Sequence, residues 1–199
     1  ANNGKELVRP GGTEKKPKVS SGTSGVSTKV PEYVTDLEIS FALRDALVVQ
    51  GAEVLMSREA HDVDISNVER AVMMNEWGAD LVLRIHCNGV DSRKKQGIGL
   101  YVTTLKPTAK ESHAAAKAIL PAMVSATGAK KDGIFKRDIY SGLNWSEVPS
   151  ILVECGYMSN AEEDEKLNDP EYQGLLAAGM VQGIADYFER DLNGGDTTD

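Results

Sequence analysis

Ser150-Ile151-Leu152-Val153-Glu154-Cys155 is a short, almost wholly apolar run interrupted by a single carboxylate. It has the length of a β-strand, and its continuous apolar character is that of a strand covered on both faces. Asp80-Leu81-Val82-Leu83-Arg84-Ile85-His86 reads the same way, and Gly97 to Thr104 and Glu53-Val54-Leu55-Met56-Ser57 supply two further strand candidates. Helical stretches lie between them. Pro31 opens a helix carried by Val34, Leu37, Phe41 and Val48, with Gly51 placed to end it. Ser66-Asn67-Val68-Glu69 is a capping box for a second helix ending near Gly78. Thr108-Ala109-Lys110-Glu111 caps a third, in which Pro121 predicts a kink or break. A final helix runs from about Glu171 to Leu192. Strands alternating with helices predict an α/β fold: a single twisted, mostly parallel sheet with helices on both faces.

The first thirty residues are rich in Gly, Ser, Thr, Lys and Pro and show neither helical nor strand period. Residues 1–31 therefore read as a long loop leading into the first helix, functional or disordered. Residues 193–199 read as a disordered polar tail, which leaves residues 1–192 as one domain. The pattern has one gap. A loop and a helix open the chain where a first strand is expected, so the sheet as read lacks its first strand.

Composition excludes several classes of function. With 30 Asp and Glu against 22 Lys and Arg, spread along the chain, nucleic acid is not an expected partner. No apolar run reaches the ~18 to 20 residues of a membrane span. Ala1-Asn2-Asn3-Gly4 does not resemble a natural start, so the lack of a secretory signal says little about localisation. Cys87 and Cys155 form neither a Cys-x-x-Cys pair nor a disulfide framework.

In open α/β sheets, ligands bind beyond the carboxyl ends of the strands. His86 closes one strand candidate and Glu154 nearly closes another, while Glu32 sits in the first turn of its helix. If the long loop left a preceding strand, all three would meet on one rim. Histidine with carboxylates there suits a hydrolytic zinc (Zn2+) site, in which the metal activates water and a separate carboxylate takes its proton. On that reading Glu32 and His86 are metal ligands and Glu154 is the general base. A lone strand-end His is commonly structural, and a first-turn Glu commonly complements the helix dipole. Glu154 is harder to explain structurally, because an unpaired carboxylate in an apolar run is costly to bury.

The motifs around these residues sharpen the reading. Arg84-Ile85-His86-Cys87-Asn88 resembles the Ser-Ile-His-x-Asn segment of the zinc-dependent N-acetylmuramoyl-L-alanine amidases. Leu152-Val153-Glu154-Cys155-Gly156-Tyr157-Met158-Ser159-Asn160 is similar to their Val-Glu-x-Gly-Phe-x-Ser-Asn signature. Pro31-Glu32-Tyr33-Val34-Thr35-Asp36-Leu37 matches the place of their ligand Glu before an Asn/Asp-Leu pair. Met56-Ser57-Arg58, Glu69-Arg70-Ala71 and Gly78-Ala79-Asp80 recur between them in order. Lys18 to Val26 and Asn144 to Pro149 resemble a clostridial and sporulation-type branch, in which the first segment either borders the groove or is a mobile surface loop.

The resemblance implies cleavage of the amide between N-acetylmuramic acid and L-alanine in peptidoglycan. It also implies a zinc cofactor held by His, Glu and His, with Glu154 as the catalytic glutamate. Work at the cell wall or spore cortex, outside the cell, follows from it, although no export signal is present in the sequence given. Arg84, Asn88 and Asn160 match positions near the site and are candidate substrate-binding residues; Arg84 also reads as half of a structural ion pair. Trp145 either stacks on a sugar or packs in its turn. One departure stands out: the family's first ligand, a His in Asp-x-Gly-His, has no counterpart upstream of Glu32. His61 and His113 lie outside ligand motifs and are expected to be solvated. Either the sequence given starts downstream of a normal first strand or the protein lacks it; the former accounts for both the missing strand and the missing His. A protein truly without that strand is expected to hold zinc weakly and be inactive. The alternative function is a catalytically impaired, wall-binding or regulatory pseudoamidase.

Overall fold

The computed structural model describes residues 4–192, with side chains through residue 189. Its main sheet has four strands: β3 (Val82–Asn88), β4 (Ile98–Val102), β5 (Lys131–Lys136) and β6 (Ser150–Tyr157), counted after a small N-terminal hairpin. Their order is β3-β6-β4-β5. β3 with β6 and β4 with β5 are parallel, and β4 with β6 is antiparallel. The sheet is therefore mostly parallel, and it is flanked by helices. On one face Ile151, Val153 and Cys155 of β6 meet α1 (Glu32–Val49), α3 (Ala109–Thr127) and α6 (Pro170–Leu192) through Ile39, Leu43, Ile119, Met123, Leu176 and Met180. On the other face α2 (Asn67–Trp77) and the short α4 (Ser141–Asn144) bracket the Arg84 side chain.

Local signals account for several helix ends. Ser66 caps α2 as a full capping box with Glu69, and Gly78 ends it in the left-handed conformation. Thr108 differs from expectation: its side chain caps nothing, and its carbonyl instead accepts from the Ser112 N–H and hydroxyl. Pro121 does not break α3, which runs on from Ala109 to Thr127; it lies on the exposed face, where water can take up the carbonyl its ring leaves unbonded. In α1 the buried face is Leu37, Ile39 and Leu43, and Val48 is 54% exposed.

α3 and α6 approach until backbone meets backbone. A Cβ built on Gly183 would lie 2.3 Å from the Ile119 Cα, and one on Gly179 would lie 2.6 Å from the Met123 Cα. Gly183→Ala is thus expected to lower stability by roughly 1–3 kcal/mol or more through overpacking. Urea unfolding checks this, and an unchanged midpoint would mean the helices part without penalty.

Two sequence expectations need correction. Residues 1–31 are not simply a loop: β1 (Lys5–Leu7) pairs antiparallel with β2 (Lys15–Pro17). This hairpin is pinned down from outside. Glu6 accepts hydrogen bonds from the Ser141 hydroxyl (2.6 Å) and the Val68 N–H (3.1 Å), and the Trp145 indole donates to the Leu7 carbonyl (2.8 Å). Strands of three residues containing Lys and Pro have no readable period, so tertiary contacts decide them. Residues 53–57, read as a strand, have no regular secondary structure and belong to no ladder. Among the described residues β3 is an edge strand paired only with β6, and residues 53–57 pair with no strand. The tail expected at 193–199 lies outside the described residues. No described helix is long and apolar enough to cross a membrane.

Candidate active site

The parallel register sets His86 of β3 opposite Glu154 of β6. Partners in adjacent parallel strands point to the same face, so imidazole and carboxylate share one rim of the sheet. On the other side of Glu154 the antiparallel partner is Gly99, which has no side chain to crowd the carboxylate. Pro31, extended at φ −66°, turns the chain into α1, and Glu32 follows in the first turn. Its Oε1 lies 3.0 Å from His86 Nδ1, across 54 residues of sequence. One helical turn on, Asp36 Oδ2 lies 3.8 Å from the same nitrogen. Glu32, Asp36 and His86 each offer a donor atom, all within 4.8 Å of one another.

The loop before α1 is part of the site. The Thr23 N–H donates to Glu32 Oε2 at 2.8 Å. Gly22 beside it has φ +71°, and a Cβ there would sit 2.5 Å from Glu32 Oε2, so both backbone and space demand glycine. Farther along, the Ser27 and Thr28 N–H groups and the Thr28 hydroxyl all donate to Asp164, which is fully buried in α5 (Ala161–Leu167). Of the two readings of Lys18–Val26, the structure supports the one in which backbone groups border the site. Asp164→Ala is expected to free this loop and cost roughly 1–3 kcal/mol, since three donors lose a buried, charged acceptor. Hydrogen exchange at residues 27 and 28 measures it, and unchanged protection would refute the anchor.

Three carboxylates crowd one imidazole, and their ionisation reflects it. Burial pushes the Glu32 carboxyl up, but the hydrogen bond and charge of His86, helped by the Thr23 and Cys87 N–H groups, bring it below its usual value. Asp36 goes well above the carboxylate range, through burial first and then the charges of Glu32 and Glu154. Glu154 is pushed up to about 8 by burial and by Glu32. Asp36 Oδ1 and Glu154 Oε2 are buried with no hydrogen-bond partner. One imidazole with several carboxylates is a donor set that hydrolytic zinc accepts, and a cation there would offset the crowded negative charge. The residues present fit the metal.

Other sequence candidates fall elsewhere. Arg84 is half-buried against the sheet, where its guanidinium donates to Asn67 Oδ1 (2.6 Å), lies against Gly142 and has its charge partly offset by Glu6. Asn160 caps α5, accepting from the Glu162 and Glu163 N–H groups. Asn88 hydrogen-bonds the Tyr101 side chain, and its carbonyl accepts from the Met158 N–H. Trp145 is the packed turn residue that holds the hairpin. His61 is exposed, edge-on to Tyr33, whereas His113 is partly buried on α3. Cys87 and Cys155 are core residues, as alternation predicts, although the Cys87 thiol also reaches Asp36. Asp36 enters the sequence reading only as the Asp of the Asn/Asp-Leu pair, with no role at the site; its place four residues after Glu32, on the same helical face, is the signal that brings it there. An open, polar cleft of about 380 Å³ adjoins the site through Thr23 and is lined also by Ser24, Gly89, Asp91, Arg93 and Ser159.

The chain matches the family model described as N-acetylmuramoyl-L-alanine amidase (Amidase_3) over residues 7–186. It is 31% identical over 185 residues to the germination-specific N-acetylmuramoyl-L-alanine amidase of Bacillus subtilis, covering 82% of this chain and 73% of that protein. It is 29% identical to the amidase LytC of the same species over 79% of this chain, but spans only 31% of LytC. Among solved structures, the N-acetylmuramyl-L-alanine amidase Ami1 of Mycobacterium smegmatis superposes with a TM-score of 0.85 at 26% identity, covering 94% of this chain and 89% of that one. With nearly its whole length matched, and His86, Glu154 and Glu32 converging on one rim, the chain belongs to the N-acetylmuramoyl-L-alanine amidase family.

Proposed function

We propose that this protein hydrolyses the amide joining N-acetylmuramic acid to the first L-alanine of the peptidoglycan stem, using a zinc ion held by Glu32 and His86 and Glu154 as general base. The observation that carries the reading is the register pairing of His86 with Glu154, with Glu32 Oε1 3.0 Å from the imidazole. Zinc, when bound, supplies a Lewis acid that lowers the pKa of water and polarises the scissile carbonyl. Glu32 presents its carboxylate to the metal, while its second oxygen stays on the Thr23 N–H, which holds the side chain in one orientation. Glu154 accepts the proton of the attacking water as the new C–O bond forms. It returns that proton to the amide nitrogen as the C–N bond breaks, leaving a carboxylic acid and a free amine. A carboxyl pushed toward neutrality is suited to both transfers. The sugar and stem peptide would lie over this rim and the adjoining cleft, and the setting would be the cell wall or spore cortex, outside the cell.

The test is incubation of the protein with purified peptidoglycan, with bound zinc measured in the same sample. Release of new N-terminal alanine by zinc-loaded protein is expected. Wall binding without alanine release would instead identify a pseudoamidase, a reading motivated by the single His at the site among the described residues. Release of a different amino terminus would move the cleaved bond elsewhere in the stem.

A further inference from the structure

We infer that an aromatic shelf on β4 and β5, built by Tyr101, Phe135 and Tyr140, seats a sugar ring of the glycan strand, an inference that rests on the peptidoglycan reading above. The register carries the face of Glu154 across the sheet. Gly99 stands opposite Glu154, and Tyr101, two residues on in β4, shares that face. Phe135 is the parallel partner of Tyr101, as Gly133 is of Gly99. Two bare glycines therefore floor the sheet beside the carboxylate, and Phe135 lies against them. A Cβ built on Gly99 would be 3.5 Å from its ring, and one on Gly133 3.2 Å. Tyr101 and Phe135 have ring centroids 5.0 Å apart and planes 30° apart, so they make one shelf. Tyr140 stands as its wall, 5.5 Å from Tyr101 and inclined at 72°. Burial raises the Tyr101 and Tyr140 phenols and the charge of Glu154 adds to it, as befits groups beside the rim.

Core packing does not account for these rings. The core side of β4 is the opposite face, where Ile98, Leu100 and Val102 meet α3. None of the three rings lies in the core or among the hydrophobic residues packed against it, and all three are half-buried. An aromatic surface left uncovered beside a reacting group marks a ligand site. The substrate says which ligand, because the scissile amide has a pyranose on one side and a peptide on the other. Past the C-terminal ends of β3 and β6, the cleft at Thr23 carries Asp91 and Arg93 and no aromatic ring, which suits a peptide. The shelf has the complementary character. A pyranose lays weakly positive C–H groups on the negative face of an aromatic ring and turns its hydroxyls outward. Polar groups stand where those hydroxyls would point. The Arg137 guanidinium is 5.9 Å from the Phe135 centroid, and Asp132, beside Gly99, is held by the Tyr157 hydroxyl (2.6 Å) and Lys95.

The experiment has two readouts. Calorimetry measures binding of the stem-free disaccharide of N-acetylglucosamine and N-acetylmuramic acid. Kinetics compares a muramoyl peptide with a lactoyl peptide that has the same amide but no sugar ring. Wild type, Phe135→Leu, Tyr101→Leu and Tyr101→Phe are tested, with circular dichroism to confirm folding. Leucine keeps apolar bulk and removes the ring face. Each leucine variant is expected to weaken disaccharide binding, and to raise KM for the muramoyl peptide, about 3- to 10-fold. The lactoyl peptide should be cleaved as by wild type, and Tyr101→Phe, which keeps the ring, should bind the disaccharide normally. Unchanged disaccharide binding in both leucine variants, or equal losses on the two substrates, would overturn the shelf and leave the amidase reading standing. No disaccharide binding by wild type would do the same. Binding that the leucine variants weaken, in a protein that releases no alanine, would support the shelf and overturn the hydrolytic reading instead.

Discussion

Glu154→Gln is expected to lower alanine release from peptidoglycan about 10²- to 10⁴-fold while bound zinc stays unchanged. The substitution keeps size and removes the proton-accepting oxygen. Because Glu154 stands outside the Glu32, Asp36 and His86 cluster, metal content should not follow activity. Loss of zinc together with activity would make Glu154 a ligand, and retained activity would remove it from the reaction. The same variant tests the electrostatics. In the metal-free protein the Glu154 carboxyl is pushed up to about 8, from 4.5 when unburied. Between those values the folded state holds a proton that the unfolded state has released, so stability falls as pH rises from about 4.5 to 8. Urea midpoints of metal-free wild type should therefore drop between pH 5 and pH 8 by more than those of Glu154→Gln. Equal drops would show that this carboxyl ionises normally.

Removal of zinc by chelation, and His86→Ala, are both expected to take activity to background. Added zinc should restore the chelated wild type and not the variant. His86 is the shared neighbour of both acidic groups, so its loss dissolves the donor set rather than weakening one bond. Without metal, Nδ1 faces Glu32 Oε1 at 3.0 Å, and metal ligands bind in their deprotonated forms. Zinc uptake should accordingly release protons and weaken in acid. The metal should also raise the melting temperature, since a ligand that binds only the folded state at 100 times its Kd adds about 2.7 kcal/mol. Chelation that leaves alanine release intact would rule out a metal mechanism.

Most of the sheet and the rim that carries His86 and Glu154 were legible because their signals are local. The apolar runs at Leu81–His86 and Ser150–Cys155 became β3 and β6, and the capping box at Ser66 started α2 where expected. The same locality explains the misses. Glu53–Ser57 has strand composition, but a strand exists only with a partner, and none of the described residues supplies one. Pro121 is a helix breaker in isolation, yet α3 continues through it because the helix is held along its length by α6 and the lost bond faces water. Arg84 shares a strand face with His86 by alternation. Two residues nearer the strand's start, however, that face is flanked by α2 and α4, and the guanidinium is held there by Asn67 and against Gly142 instead of reaching the rim.

The sequence by itself determined the α/β class, the strands that bear His86 and Glu154, and the place of Glu32 in the first turn of a helix. These follow from period, capping and an apolar run that tolerates one carboxylate. Only the tertiary structure decided that Asp36 joins the imidazole, that the loop at Gly22 and Thr23 closes on Glu32, and that the first residues form a hairpin held by Glu6 and Trp145. Each of these depends on groups tens of residues apart coming within a few ångströms. Local propensity carries no record of such distances; they are set by how helices and strands pack.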